Sequence, residues 1–233
     1  ELLPKLKIGK ATAEYNIKLR APADIPEKGP IGVDEFARTY RNIARDRKIC
    51  LISHTIGWPP EESEFNHPLG CLANAGGGGL GAGPGNAVGA ALALRDMKSE
   101  YLPVAILGDG DYLMGVQALW TAAHERIPLF IIVANNNSYF NDEMHQEAIA
   151  KLRGRPVENR WIGQRIDQPV IDIIALAEAQ GLENAGKVSD MKELPQLLSD
   201  AMDRLQEGAS LVMDVSITPE YASSPVHERK TTV

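Results

Sequence analysis

Residues 102–138 read LPVAILGDGDYLMGVQALWTAAHERIPLFIIVANNNS. Two short apolar runs, 102–108 and 129–134, each stop at a cluster of hydrogen-bonding groups. The first meets an acid between two glycines, the second a row of asparagines. Between them Val116, Leu119, Trp120 and Ala123 recur on one face at helical spacing. Strand, covering helix and strand make up the unit of a parallel sheet. Ligands of such sheets bind outside the carboxyl ends of the strands. The pattern therefore predicts that Gly108–Gly110 and Asn135–Asn137 line one crevice.

The alternation extends in both directions. Val33, Phe36, Ala37, Tyr40 and Ile43 mark a helix, and KICLIS (48–53) reads as a buried strand. HTIGWPPEESEFNHPLG (54–70) has the proline and polar content of a long loop. ANAGGGGLGAGPGN (73–86) is a glycine-rich turn leading into an Ala-rich helix over roughly 86–95. Beyond the asparagines lies a polar segment. A helix over 170–181, stopped by Gly181, a weak strand near 182–188, a helix marked by Met191 through Leu205, and the strand SLVMDVSI (210–217) follow it. The expected fold is α/β, a parallel sheet sandwiched by helices over 31–217. The proline-bearing residues 1–30 read as a linker or extended arm, and 218–233 as a polar tail.

Composition removes other classes. Hydrophobic residues make up 44% of 233, enough for a sizeable core. The net charge is −7, and no cluster of Lys and Arg stands out, which argues against a nucleic-acid partner. Cys50 and Cys71 are the only cysteines. They make neither a disulfide framework nor a zinc set, and they fit a reduced, cytoplasmic setting. No apolar run approaches the ~20 residues of a membrane span, and no signal peptide is visible.

Asp109 offers a carboxylate and Asn136 an amide oxygen, both hard ligands of the kind magnesium takes together with phosphate oxygens. Gly108 and Gly110 permit close backbone approach. The helix expected to start near Tyr112 would turn its free N–H groups to the same place. A metal-held diphosphate fits. So does a plainer reading, in which Asp109 caps a helix and the asparagines form a turn.

GDG, 24 residues, then NN is similar to the thiamin diphosphate motif. The stretch GDGDYLMGVQALWTAAHERIPLFIIVANNNSY resembles the acetolactate synthase, benzoylformate decarboxylase and pyruvate decarboxylase superfamily, in its C-terminal diphosphate-binding domain. That resemblance implies thiamin diphosphate and Mg2+ as cofactors. Asp109 and Asn136 would be side-chain ligands of the metal and Ser138 a main-chain carbonyl ligand. Gly108, Gly110, Asp111 and Tyr139 would stand beside the cofactor. Asn135 with Asn136 matches the family pair best, although Asn136 with Asn137 also forms a pair. In GGLG (78–81), Leu80 matches the large apolar residue that wedges beneath the cofactor and bends it. The main chain of Gly78 and Leu80 would hold the aminopyrimidine. ISHTIGW (52–58) resembles a stretch of acetolactate synthases that contacts the diphosphate, which would give Ser53 and His54 that role. In YFNDEMHQE (139–147), Asp142 matches a catalytic glutamate of pyruvate decarboxylases, so Asp142, Glu143 and His145 are candidate proton donors or substrate contacts. A solvated, charged helix start is the alternative for those three. Arg153, Arg155 and Arg160 suit a carboxylate clamp or a surface ion-pair cluster.

The same resemblance implies that an activating glutamate comes from a separate pyrimidine-binding domain, on another chain or segment. No second set of strands is visible here, and the sequence starts at Glu1 without Met. The expectation is one subunit of a two-chain enzyme or part of a longer polypeptide, in a homodimer, homotetramer or hetero-oligomer. Its substrate would be a 2-oxo acid or acyloin, with Glu61, Glu62 and Glu143 as the acids to test should the chain act alone. The implied reaction is decarboxylation or acetolactate synthase-like carboligation, or else a benzaldehyde-lyase-like or 2-hydroxyacyl lyase activity. Two readings of another class remain open. GGGGLGAG could belong to a dinucleotide-binding module, with Asp109 as its late acid. The chain could also bind the cofactor without catalysis.

Overall fold

The computed structural model describes residues 25–63, 67–72 and 79–219. Within them lies a five-stranded sheet of order β1-β2-β3-β5-β4. The strands are β1 (Ile49–Ser53), β2 (Leu102–Gly108), β3 (Leu129–Asn135), β4 (Glu183–Val188) and β5 (Ser210–Ser216). Every neighbouring pair is parallel. Helices α1 (Val33–Ala44), α2 (Gly83–Asp96), α3 (Asp109–Gly115), α4 (Leu119–His124), α5 (Phe140–Leu152), α6 (Ile173–Ala179) and α7 (Leu194–Gln206) connect or flank the strands. The expected α/β class holds.

Strand alternation divides the interior into two cores. Val104, Ile106, Phe130, Ile132, Met213 and Val215 face α1 and α7. Ala105, Leu107, Leu129, Ile131, Val133 and Val212 face α2, α3, α4 and α6. Because both sheet faces are covered, β3 is buried along its whole length and reads as a continuous apolar run instead of an alternating one. Burying these side chains is the main favourable term for the fold.

Several expectations needed correction. Helix α2 begins at Gly83, not 86, with Pro84 in its first turn, where a missing N–H does no harm. Helix α3 begins at Asp109 itself, not near Tyr112. The helix expected over 170–181 is confined to Ile173–Ala179, capped by Asp172 through the Ala175 N–H at 3.0 Å. Trp120, which the helical spacing puts on one face with Leu119, is 57% exposed and stacks on His124 with ring centroids 4.8 Å apart. Residues 140–152 form a helix that the apolar pattern did not show. Part of the supposed arm is docked. The Gly29 carbonyl accepts from the Met191 N–H at 2.8 Å, and the Gly29 N–H donates to Asp190 Oδ1 at 3.1 Å. Ile31 bridges Ile217, and the Thr218 N–H donates to the Ile31 carbonyl at 2.8 Å. Among the described residues no helix is long and apolar enough to cross a membrane.

Candidate functional site

The carboxyl ends of β1, β2 and β3 open into a crevice of about 220 Å³. Ser53, His54, Leu80, Gly108, Asp109, Gly110, Asp111, Asn136, Ser138, Tyr139 and Asp142 all line it. The acid–glycine cluster and the asparagine cluster thus meet in one place.

Asp109 opens α3 and is 4% exposed. Its Oδ1 accepts from the Gly110 N–H at 2.9 Å, and its Oδ2 from the Ser138 N–H at 3.1 Å. Asn136 Oδ1 accepts from that same Ser138 N–H at 3.1 Å. Two hard oxygens, each just past the end of one of two adjacent strands, therefore converge on one main-chain group. Burial pushes the Asp109 carboxyl up to about 6, against the opposing pull of main-chain N–H donors from Gly110, Ser138 and Asn137. A cation beside it would favour the charged form.

Asn135 points the other way. Its Nδ2 donates to Asp214 Oδ1 at 3.0 Å, and its Oδ1 accepts from the Asn137 N–H at 3.0 Å. Asp214 is fully buried, with Lys187 Nζ 3.3 Å from its Oδ2. Asn137 takes a left-handed φ of 54°, a conformation asparagine tolerates better than most residues. Of the three asparagines, only Asn136 lines the crevice.

Glycines set the close approaches. A Cβ at Gly110 would fall 2.3 Å from Tyr139 Cε1, so the tyrosine ring lies against bare main chain. Gly81 has φ +90°, open to glycine without strain. Asp111 is not a free ligand group. Its Oδ1 accepts from the Gly81 N–H at 2.6 Å and from the Gly83 N–H at 3.2 Å. It thereby ties the turn carrying Leu80, itself 43% exposed into the crevice, to the helix carrying Asp109. Gly78 lies outside the described residues. On the β1 side His54 Nδ1 lies 3.3 Å from the Thr55 carbonyl oxygen.

The acids and bases beyond the asparagines separate. Asp142 is at the rim. His145 is exposed and does not line the crevice. Glu143 is wholly buried and held by Arg165 Nε at 2.7 Å, so it is no free proton donor. Glu62 pairs with Arg41 Nη1 at 2.8 Å, and neither Glu61 nor Glu62 lines the crevice. Arg153 and Arg155 are exposed and Arg160 pairs with Glu147, so no arginine clamp faces the site. Sequence reasoning passed over Arg165 and Asp214. Both act through pairings across long stretches of chain, which periodicity does not reveal. Among the described residues no three His, Cys, Asp or Glu side chains are grouped to hold a metal ion. The oxygens that meet on the Ser138 N–H come from one carboxylate, Asp109, and one amide, Asn136.

Fold and crevice define a parallel α/β domain that takes a ligand at the carboxyl edge of its sheet. Residues 56–215 match the family described as "Thiamine pyrophosphate enzyme, C-terminal TPP binding domain", and the chain belongs to that family. It is similar to the acetolactate synthase large subunit of Parasynechococcus marenigrum (strain WH8102), 28% identical over 205 residues, covering 86% of this chain and 30% of that protein. The benzoylformate decarboxylase of Pseudomonas aeruginosa is 33% identical over 125 residues, covering 54% of this chain and 21% of that protein. The chain thus spans less than a third of the length of these curated relatives. Among solved structures, the thiamine diphosphate-dependent 4-hydroxybenzoylformate decarboxylase of Rhodococcus jostii RHA1 superposes with a TM-score of 0.63 at 24% identity, covering 86% of this chain and 36% of that one. The benzoylformate decarboxylase of Polynucleobacter necessarius gives a TM-score of 0.66 at 24% identity, covering 80% and 33%. These two share the fold.

Proposed function

We propose that this chain supplies the diphosphate- and magnesium-binding half of a thiamin diphosphate-dependent enzyme that cleaves or forms carbon–carbon bonds next to a carbonyl. The observation that carries this reading is the convergence of Asp109 Oδ2 and Asn136 Oδ1 on the Ser138 N–H, at the carboxyl ends of paired strands. One carboxylate, one amide oxygen and a Ser138 carbonyl make a hard-oxygen set suited to magnesium, whose shell is completed by water and phosphate. The buried, charge-starved Asp109 carboxylate accords with a cation there.

Around that set, Gly108 and Gly110 let a diphosphate approach main chain, with Ser53 and His54 on the β1 side. Leu80 orients the cofactor from below, on a turn fixed by Asp111. Asp142, at the rim, is placed to contact substrate or move a proton. When bound, the cofactor supplies the carbon that adds to the substrate carbonyl and the electron sink that follows. In this reading the substrate is a 2-oxo acid or acyloin and the reaction decarboxylation or acetolactate synthase-like carboligation, which the likeness to an acetolactate synthase and a benzoylformate decarboxylase supports.

Three carboxylates, Asp109, Asp111 and Asp142, line the crevice among the described residues, and no glutamate does. The family resemblance implies an activating glutamate, which this reading gives to a pyrimidine-binding domain on another chain or segment. Residues 31–217 form the diphosphate unit in this reading. The assembly is symmetric, with at least two sites, in a cytoplasmic setting that suits the free Cys50 and Cys71.

The test is titration of the assembled enzyme with thiamin diphosphate and magnesium, with NAD as the control. Asp109→Ala should abolish magnesium-dependent binding, because the metal loses its one carboxylate. Unchanged cofactor affinity in calorimetry would overturn the metal assignment, and saturable NAD binding would favour a dinucleotide module.

A further inference from the structure

Helix α5 completely buries one side chain, and that side chain is the carboxylate of Glu143. It does not line the crevice. It accepts the Ser138 hydroxyl hydrogen bond, and its two oxygens lie 2.7 Å from Arg165 Nε and 3.4 Å from Arg165 Nη2. Arg160 Nε adds a second cation at 3.9 Å. Ser138 Oγ also lies 3.4 Å from the Gln164 carbonyl.

Main chain reinforces the same junction. The Tyr139 N–H donates to the Gln164 carbonyl at 2.9 Å, and the Ile166 N–H to the Asn137 carbonyl at 2.8 Å. Ser138 and Arg165 form an antiparallel bridge. The loop bearing Asn136 and Ser138 is thus gripped on one side by Asp109 and on the other by residues 164–166, with Glu143 as the joint. A buried carboxylate is costly unless paired and hydrogen-bonded. Glu143 joins residues 164–166 to the loop through Arg165 on one side and Ser138 on the other, at the residue whose N–H gathers the two crevice oxygens. A shift of Ser138 would disturb both oxygens together.

We propose that Glu143 and Arg165 are positioning residues, a buried ion pair that holds Ser138 in the place where its main chain joins Asp109 and Asn136 in a divalent-cation site. The proposal rests on the metal–diphosphate reading above. Glu143 does not touch the cation; it acts through Ser138. Outer partners of metal ligands commonly change metal affinity about 10–100-fold when removed.

The experiment titrates Mg2+ at fixed thiamin diphosphate in the assembled enzyme, following cofactor binding by calorimetry. Mn2+ binding, followed by electron paramagnetic resonance, gives a readout independent of turnover. Glu143→Gln keeps an acceptor for Ser138 and removes the charge facing Arg165. Ser138→Ala removes the hydroxyl and leaves the main chain. Each should raise the half-saturating metal concentration about 10–100-fold, and Arg165→Lys should fall between them and the unaltered enzyme. The double variant Glu143→Gln/Ser138→Ala should be no worse than the more severe single one, because both interrupt the one chain from Arg165 through Glu143 to Ser138. Unchanged half-saturation with a lowered melting temperature would make the pair a brace of the fold alone and overturn the proposal, as would full additivity. If Glu143→Gln does not fold, Ser138→Ala decides, and unchanged metal affinity there is equally fatal. Metal-independent cofactor binding by the unaltered enzyme would remove the functional reading, and this proposal with it. Metal-dependent binding by the unaltered enzyme, with the same half-saturation in every variant, removes this proposal alone.

Discussion

Asn135, Asn136 and Asn137 are chemically identical, and their surroundings give them three tasks. Asn135 is drawn into the sheet by Asp214. Asn136 faces the crevice. Asn137 makes the left-handed step that frees its carbonyl for Ile166. The polar strand end is legible in the sequence. The choice among the three is not, because it depends on an aspartate on another strand, 79 residues away. Leu80 is the opposite case: GGLG singles it out only through the family resemblance, and in the structure it lies on the crevice wall. Leu80→Ala should lower kcat far more than it weakens cofactor binding, since the diphosphate contacts lie elsewhere. Steady-state kinetics beside a cofactor titration would check this, and unchanged turnover would make Leu80 an ordinary surface leucine.

Among the elements, the strands were the most legible. Four apolar runs became β1, β2, β3 and β5 within a residue or two, because a sheet covered on both faces demands continuous apolar stretches, and the weak candidate near 182–188 became the edge strand β4. Helix α5 escaped notice for the converse reason. It buries a glutamate and leaves Met144, Ile149 and Leu152 exposed, so its sequence carries no apolar stripe. The end of the 170–181 run failed similarly, as Val170 is 63% exposed ahead of the Asp172 cap. The central position of β3 makes it the most sensitive strand. Ile131→Ala should destabilise the fold by about 2–5 kcal/mol, the usual cost of a cavity at a fully buried isoleucine. Urea unfolding should show a lower midpoint at constant slope, and a midpoint shift under 1 M urea would indicate that the site collapses to fill the void.

On the scale of the whole molecule, the crevice carries exposed apolar groups in its lining. Ile56 and Leu80 line it and are both about half exposed, as apolar groups are where a partner surface is to cover them. Purified residues 1–233 should therefore consume no 2-oxo acid with cofactor and magnesium present, and activity should appear when a pyrimidine-binding partner is added. Turnover by a verified monomer would sink the divided site. It would turn attention to Asp142, the acid at the rim. The identity of a partner is not legible from this chain, since half of an interface specifies shape and not identity.

The bridge between Ile31 and Ile217, locked by the Thr218 N–H on the Ile31 carbonyl, brings the incoming and outgoing strands of chain side by side. A body whose entrance and exit share one doorway can be spliced into another polypeptide, or joined to it from either flank, without rethreading its sheet. Modular inheritance of this kind requires no change at the crevice, so neighbouring domains could be exchanged over evolutionary time while the polar ends of β2 and β3 stayed as they are.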